Sequence, residues 1–224
     1  MDRALSFALA IVCAAGVSCG GLPVPGMGGG SGGGAYAPAE CARNQFQGDL
    51  SNAREGQEVV YAIDAGGQST TQSVKVVGKD GSDVYVEQWL DMPSMGYGYL
   101  FLVGPDKAIK KAWAAPKDGK AWKEIAVKDP PAGQAGDAPK PTIKESSEKK
   151  EVPAGAFQAK RLDVTVNVQG KDYTSVAWYS KDVPPIYMAS EHGGVVALET
   201  SGSRTELKSV KTDAKATLDL PKKS

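Results

Sequence analysis

Between Leu162 and Val168 the chain alternates strictly, with Asp163, Thr165 and Asn167 separating Leu162, Val164, Val166 and Val168. Successive side chains of a strand point to opposite faces, so this pattern describes a strand with one face in a core and one in water. Segments of the same kind recur. Strands are expected over Glu58–Ile63, Gln72–Val77, Asp83–Leu90, Tyr97–Val103, Ala108–Trp113, Ala121–Val127, Tyr173–Ser180, Val195–Thr200 and Arg204–Val210. Turn residues punctuate them, in Gly78-Lys79-Asp80-Gly81, Gly170-Lys171-Asp172 and Gly202-Ser203. About ten short, evenly spaced strands predict a mainly all-β fold, a curved antiparallel sheet or half-barrel. One short N-terminal helix is expected over Pro38–Ala53, where Ala42, Phe46, Leu50 and Ala53 fall near one face. Gly48 inside that segment weakens a helix by about 1 kcal/mol.

Other stretches lack the periodicity. Residues 128–149 contain Pro130, Pro131, Pro139 and Pro141 and end in the charged run Lys144 to Lys149. Few bulky apolar residues stand there, which predicts a solvated, disordered-like insertion within a single β domain of residues 39–210. From Lys211 a polar tail is expected to fray. Residues 19–38 are Gly/Pro-rich, with six glycines around Ser31 between Gly28 and Gly34. They read as a flexible tether reaching about 25 Å. No strand precedes those glycines and no Lys-Ser/Thr follows them, so they are not a phosphate loop.

The N-terminus carries an address. Arg3 opens it, an apolar run extends from Ala4 to Val17, and Ser18-Cys19-Gly20-Gly21 follows. About fourteen apolar residues suit a signal peptide and fall short of the roughly twenty that a spanning helix needs. Gly16-Val17-Ser18-Cys19 resembles a lipobox, departing from it at Gly16, where a bulky aliphatic residue is usual. The resemblance implies cleavage before Cys19 and acylation of its sulfur, so the chain would be anchored in a membrane through its N-terminal lipid. Two or three acyl chains, at about 0.8 kcal/mol per buried CH₂, anchor stably. Gly20 after the cysteine implies the outer membrane, facing the periplasm or the cell surface. The alternative is an ordinary secretory signal, which would leave Cys19 free to bridge Cys41.

Lysine plus arginine and aspartate plus glutamate balance at 26 each. Such a chain offers no basic patch for nucleic acid. The one histidine, His192, stands beside Gly193-Gly194 and reads as a surface turn residue. Asp80, Asp83, Asp163 and Asp172 lack calcium-loop spacing. No metal site, cofactor or catalytic set is expected, and the protein reads as non-enzymatic.

Two stretches carry a family likeness. One is Gly56-Gln57-Glu58-Val59-Val60-Tyr61, with Val76-Val77-Gly78-Lys79-Asp80 after it. The other is Val152-Pro153-Ala154-Gly155-Ala156-Phe157, followed by Trp178-Tyr179-Ser180-Lys181-Asp182-Val183-Pro184. Together they resemble uncharacterised exported bacterial proteins whose layout is similar to the half-barrel of the periplasmic lipoprotein carriers LolA and LolB. The likeness spans about residues 54–209 and implies a fold, with no catalytic residues to carry over.

The strongest binding candidate is Tyr97 to Leu102. Tyr97, Tyr99 and Phe101 share one strand face and Leu100 and Leu102 the other, whereas an antiparallel sheet commonly wets one side. Either something covers the second face, such as the expected helix near Phe46 or a packed loop, or that face lines an apolar cavity. In the cavity reading Trp89, Tyr97, Tyr99, Phe101 and Trp113 line a site for a lipid or other apolar ligand. The competing reading is an interaction module that docks another envelope protein through the sheet or its edges.

Overall fold

The computed structural model describes residues 37–93, 95–130 and 140–221. Its strands are β1 (Glu40–Ala42), β2 (Glu58–Ala65), β3 (Gln68–Asp80), β4 (Asp83–Asp91), β5 (Gly96–Val103), β6 (Ile109–Pro116) and β7 (Lys123–Lys128). They continue as β8 (Thr142–Val152), β9 (Gly155–Val168), β10 (Lys171–Ser180), β11 (Ala189–Ser190), β12 (Gly193–Thr200) and β13 (Ser203–Lys211). All belong to one curved sheet that does not close, ordered β1-β7-β6-β5-β4-β3-β2-β13-β12-β10-β9-β8, with β11 on β12. The all-β expectation holds, and each of the strands read from alternation is present.

The sheet is two meanders joined side to side. Strands β2 to β7 pair in sequence, as do β8, β9, β10, β12 and β13, and the halves meet where β2 pairs antiparallel with β13. Tight turns set the registers. Val168 pairs with Lys171 across Gln169 (φ 53°) and Gly170 (φ 82°), both left-handed as a type I′ hairpin requires. Asp80 pairs with Asp83 across Gly81-Ser82, with Gly81 at φ 60°. The family-like Pro153-Ala154 forms the turn between β8 and β9.

Three expectations need correction. No helix occurs among the described residues, and Pro38–Ala53 forms β1 followed by turns. Glu40, Cys41 and Ala42 instead pair in parallel with Ala126, Val127 and Lys128. Gly48 lies so close to the backbone of Ile186 that a Cβ there would sit 2.7 Å from the Ile186 carbonyl oxygen. Sheet pairing and this close approach outcompete a helix that glycine had already weakened.

The insertion read over 128–149 is ordered in its second half, because Thr142 to Val152 pairs along its whole length with β9; residues 131–139 lie outside the described residues. The polar tail does not fray. Its described part, to Pro221, lies against the sheet, with Ala214 N–H donating to the Gly56 carbonyl at 3.0 Å. The N-terminal signal, Cys19 and the tether to residue 36 lie outside the described residues.

Candidate functional site

The structure divides the five aromatic residues read as one site between two faces. On β5, Tyr97, Tyr99 and Phe101 point to the inner face and join the main core with Val74, Val86 and Leu207. Tyr99 stacks on Phe101 with ring centroids 5.1 Å apart. Leu100 points to the outer face, and its cross-strand partners are Glu87 on β4 and Trp113 on β6. Trp113 accordingly belongs to a second apolar cluster with Val77, Tyr85, Leu100 and Leu102. Trp89 also lies on the outer face, opposite Gly98, where a Cβ would stand 2.7 Å from its indole. Its ring lies 5.5 Å from that of Trp122.

Both faces are covered. Two loops fill the inner one. Ile186 and Val183 are fully buried there, with Phe46, Leu50, Tyr187 and Met188 packed around them. Asp49 N–H donates to the Pro185 carbonyl at 2.7 Å, and Ala189 N–H to the Gln47 carbonyl at 3.2 Å, which ties the loops together. The segment around Phe46 thus covers a face of the sheet, but as a loop. Tyr61 anchors the plug, its hydroxyl donating to the Val195 carbonyl at 3.0 Å and its ring 5.2 Å from Tyr187.

On the outer face the C-terminal segment is the cover. Ala216 and Leu220 pack on the second cluster together with Trp122. Between them the tail meets a buried ion pair invisible to pattern reading, Lys75 on β3 and Glu87 on β4. They are cross-strand neighbours with Nζ and Oε1 2.9 Å apart, and the Glu87 side chain is fully buried. A buried carboxylate must be surrounded by donors. Trp89 Nε1 donates to it at 2.6 Å, Thr217 N–H at 2.9 Å, and the Thr217 hydroxyl at 2.5 Å. Lys75 Nζ donates to the Lys215 carbonyl at 3.0 Å and to the Thr217 hydroxyl oxygen at 2.7 Å. Beside this network lies a cleft of about 260 Å³ lined by Thr71, Ser73, Trp89, Leu90, Asp91, Lys117 and Thr217.

The sheet ends at β8, whose outer side pairs with no strand among the described residues. Its charged side chains wrap the flank of β10. Lys150 Nζ sits 3.5 Å from the centre of the Trp178 ring, and the Trp178 indole donates to Glu148 at 2.5 Å. His192 is partly buried, with Nε2 3.6 Å from Glu191 and 3.9 Å from Glu145 on β8. These three residues offer ligand atoms within 4.8 Å of one another, a grouping that sequence spacing did not reveal because Glu145 arrives from the strand missed there.

Cys41 is buried, and burial pushes its thiol up to about 11, with Arg43 nearby opposing the shift. A thiol so raised is almost wholly neutral at ordinary pH. In a full-length chain with Cys13 and Cys19 changed to serine, alkylation of Cys41 at pH 8 should be on the order of 100-fold slower than in urea. Equal rates in the two conditions would contradict the burial.

No family model matches the chain, and no curated protein matches it. Solved structures of loosely similar layout exist. One is a protein described as exported, with a YmcC-like fold, from Bacteroides fragilis. It is 12% identical at TM-score 0.33, over 74% of this chain and 98% of that one. The hypothetical protein CT021 from Chlamydia trachomatis is 9% identical at TM-score 0.44, over 77% and 96%. MucB is 11% identical at TM-score 0.37, over 75% and 57%. Likeness at this level is one of sheet layout and carries no functional inference.

Proposed function

We propose that this chain is an exported envelope protein, anchored in the outer membrane through an acylated Cys19, and that its β domain docks another envelope protein without catalysing a reaction. The observation that carries the docking reading is the edge of β8, eleven residues long and unpaired on its outer side among the described residues. Counted in twos from the turn-closing pair Val152 and Gly155, the backbone groups of Glu145, Ser147 and Lys149 point to the unpaired side. An extended segment of a partner can add there as a further antiparallel strand. Charges along the edge discourage indiscriminate pairing and select a partner of complementary pattern.

The alternative, an apolar ligand such as a lipid on the curved sheet, has less support. Its inner face is filled by the chain's own loops, and its outer cluster lies under the tail.

Crosslinking in cells tests the docking, and membrane fractionation tests the anchor. Ser147→Pro removes an outward amide from the edge and should abolish the crosslinked partner while leaving the melting temperature within a few degrees. Cys19→Ser should move the protein from the membrane to the soluble fraction. An unchanged partner in the first variant, or unchanged fractionation in the second, would refute the corresponding half.

A further inference from the structure

The tail on the outer face is held in the way a bound peptide is held. Three backbone or hydroxyl groups of Lys215 and Thr217 are read by the Lys75–Glu87 pair: one carbonyl, one amide and one side-chain hydroxyl. Three residues beyond Thr217, Leu220 enters the cluster of Val77, Tyr85, Leu100, Leu102 and Trp113. Gly78 leaves room for it, because a Cβ at that position would stand 3.1 Å from Leu220 Cδ1. Ala216 packs against the same cluster. None of these tail residues belongs to a strand. The segment can therefore leave without breaking the sheet.

The balance of forces favours exchange over simple release. Glu87 and Lys75 are charged groups in an apolar surround, and the tail supplies much of their hydrogen bonding. Uncovering them beside Leu100 and Trp113 exposes apolar area, whereas a second segment with the same groups would restore every contact. We propose that the outer face of β3–β6 is a peptide-binding groove, occupied in cis by residues 214–220. It takes an extended segment that carries a threonine or serine followed three residues later by an aliphatic side chain. Lys75 and Glu87 read the backbone and the hydroxyl, and the apolar cluster reads the aliphatic residue. The groove is separate from the β8 edge and does not depend on docking there.

The test uses the full mature chain and a fluorescent peptide of sequence TDAKATLDLP, matching residues 212–221. Thr217→Val in the protein removes the hydroxyl and weakens the resident segment while leaving the groove whole. The peptide should bind this variant at least 10-fold more tightly than the wild-type chain. A peptide with valine for its threonine should bind the same variant at least 10-fold more weakly than the unaltered peptide, and adding Glu87→Gln to the protein should abolish binding. Hydrogen exchange on the wild-type chain covers the case of a misfolded variant, since millimolar peptide should speed exchange at the chain's own residues 214–220. Absence of peptide binding to a folded Thr217→Val chain overturns the proposal, as does equal binding of the valine peptide. Unchanged tail exchange in the wild-type chain likewise overturns it.

Discussion

Replacing Glu87 with leucine should destabilise the protein by about 3–5 kcal/mol, the range observed when one partner of a buried pair is removed. The leucine would match its cross-strand neighbour Leu100 in polarity. Lys75, which is also buried, would be left without its counter-charge, and the donors of Thr217 and the Trp89 indole would lose their acceptor. For a domain of this size the expected fall in melting temperature is about 10 °C. Changing Lys75 to methionine in the same chain should recover part of the loss, because a well-packed apolar pair avoids the desolvation of two charges. A single-variant loss below 1 kcal/mol in urea unfolding would mean that water reaches the pair. Either result is a direct reading of how firmly the tail seals the outer face.

Alkaline solution should unfold the domain cooperatively. Burial raises the phenols of Tyr61, Tyr179 and Tyr187 above their ordinary value near 10, the Tyr61 shift being large. All three cluster where the loop plug meets the inner face. In the unfolded chain they ionise around pH 10, so above that pH the folded state holds more protons than the unfolded state. Stability is then fully present below pH 10 and falls as pH rises through the folded values. Each group contributes up to about 1.4 kcal/mol per pH unit, and the three together about 4 kcal/mol per unit. Tyrosinate absorbance and circular dichroism should therefore change together in the last part of the titration. Complete ionisation of all tyrosines with an unaltered dichroism spectrum would disprove the account.

Alternation made most of the strands legible, because one buried face leaves a period of two in the sequence. Leu162 to Val168 shows this plainly, and Val164 and Val166 are buried in the structure as expected. Strand β8 was illegible for the complementary reason. Its residues Lys144 to Glu151 are mostly exposed and meet Trp178 through the Lys150 ammonium and the Glu148 carboxylate, so the strand carries no apolar mark. Strand β1 is three residues long and is held by a parallel partner about eighty residues away, a range over which no local pattern speaks.

The aromatic site was legible in its parts alone. Tyr97, Tyr99 and Phe101 were assigned to one face and Leu100 and Leu102 to the other, as found. Separating Trp89 and Trp113 from the first group required the pairing register, which sets Trp113 opposite Leu100 and Trp89 opposite Gly98, on the same face as Glu87. The tail was misjudged because Ala214 to Leu220 is apolar at Ala214, Ala216, Leu218 and Leu220 without forming a strand. Its anchoring rests on one hydroxyl, on the backbone groups of Ala214, Lys215 and Thr217, and on Ala216 and Leu220, whose partners all lie far away in the sequence.

The seam between β2 and β13 has a kinetic consequence. Val59 pairs with Val210 and Tyr61 with Leu207, contacts about 150 residues apart in the chain. Each meander can form its hairpins locally, but the core that both line is complete only when this seam closes. Contacts of that separation bear a large loop-closure entropy before they stabilise anything, so folding is slow compared with hairpin formation. A chain still being synthesised has no β13 to offer, and β2 remains open on that side until β13 arrives. Assembly of the native domain therefore waits until β13 has been made, and until then the first meander stands as an unfinished sheet.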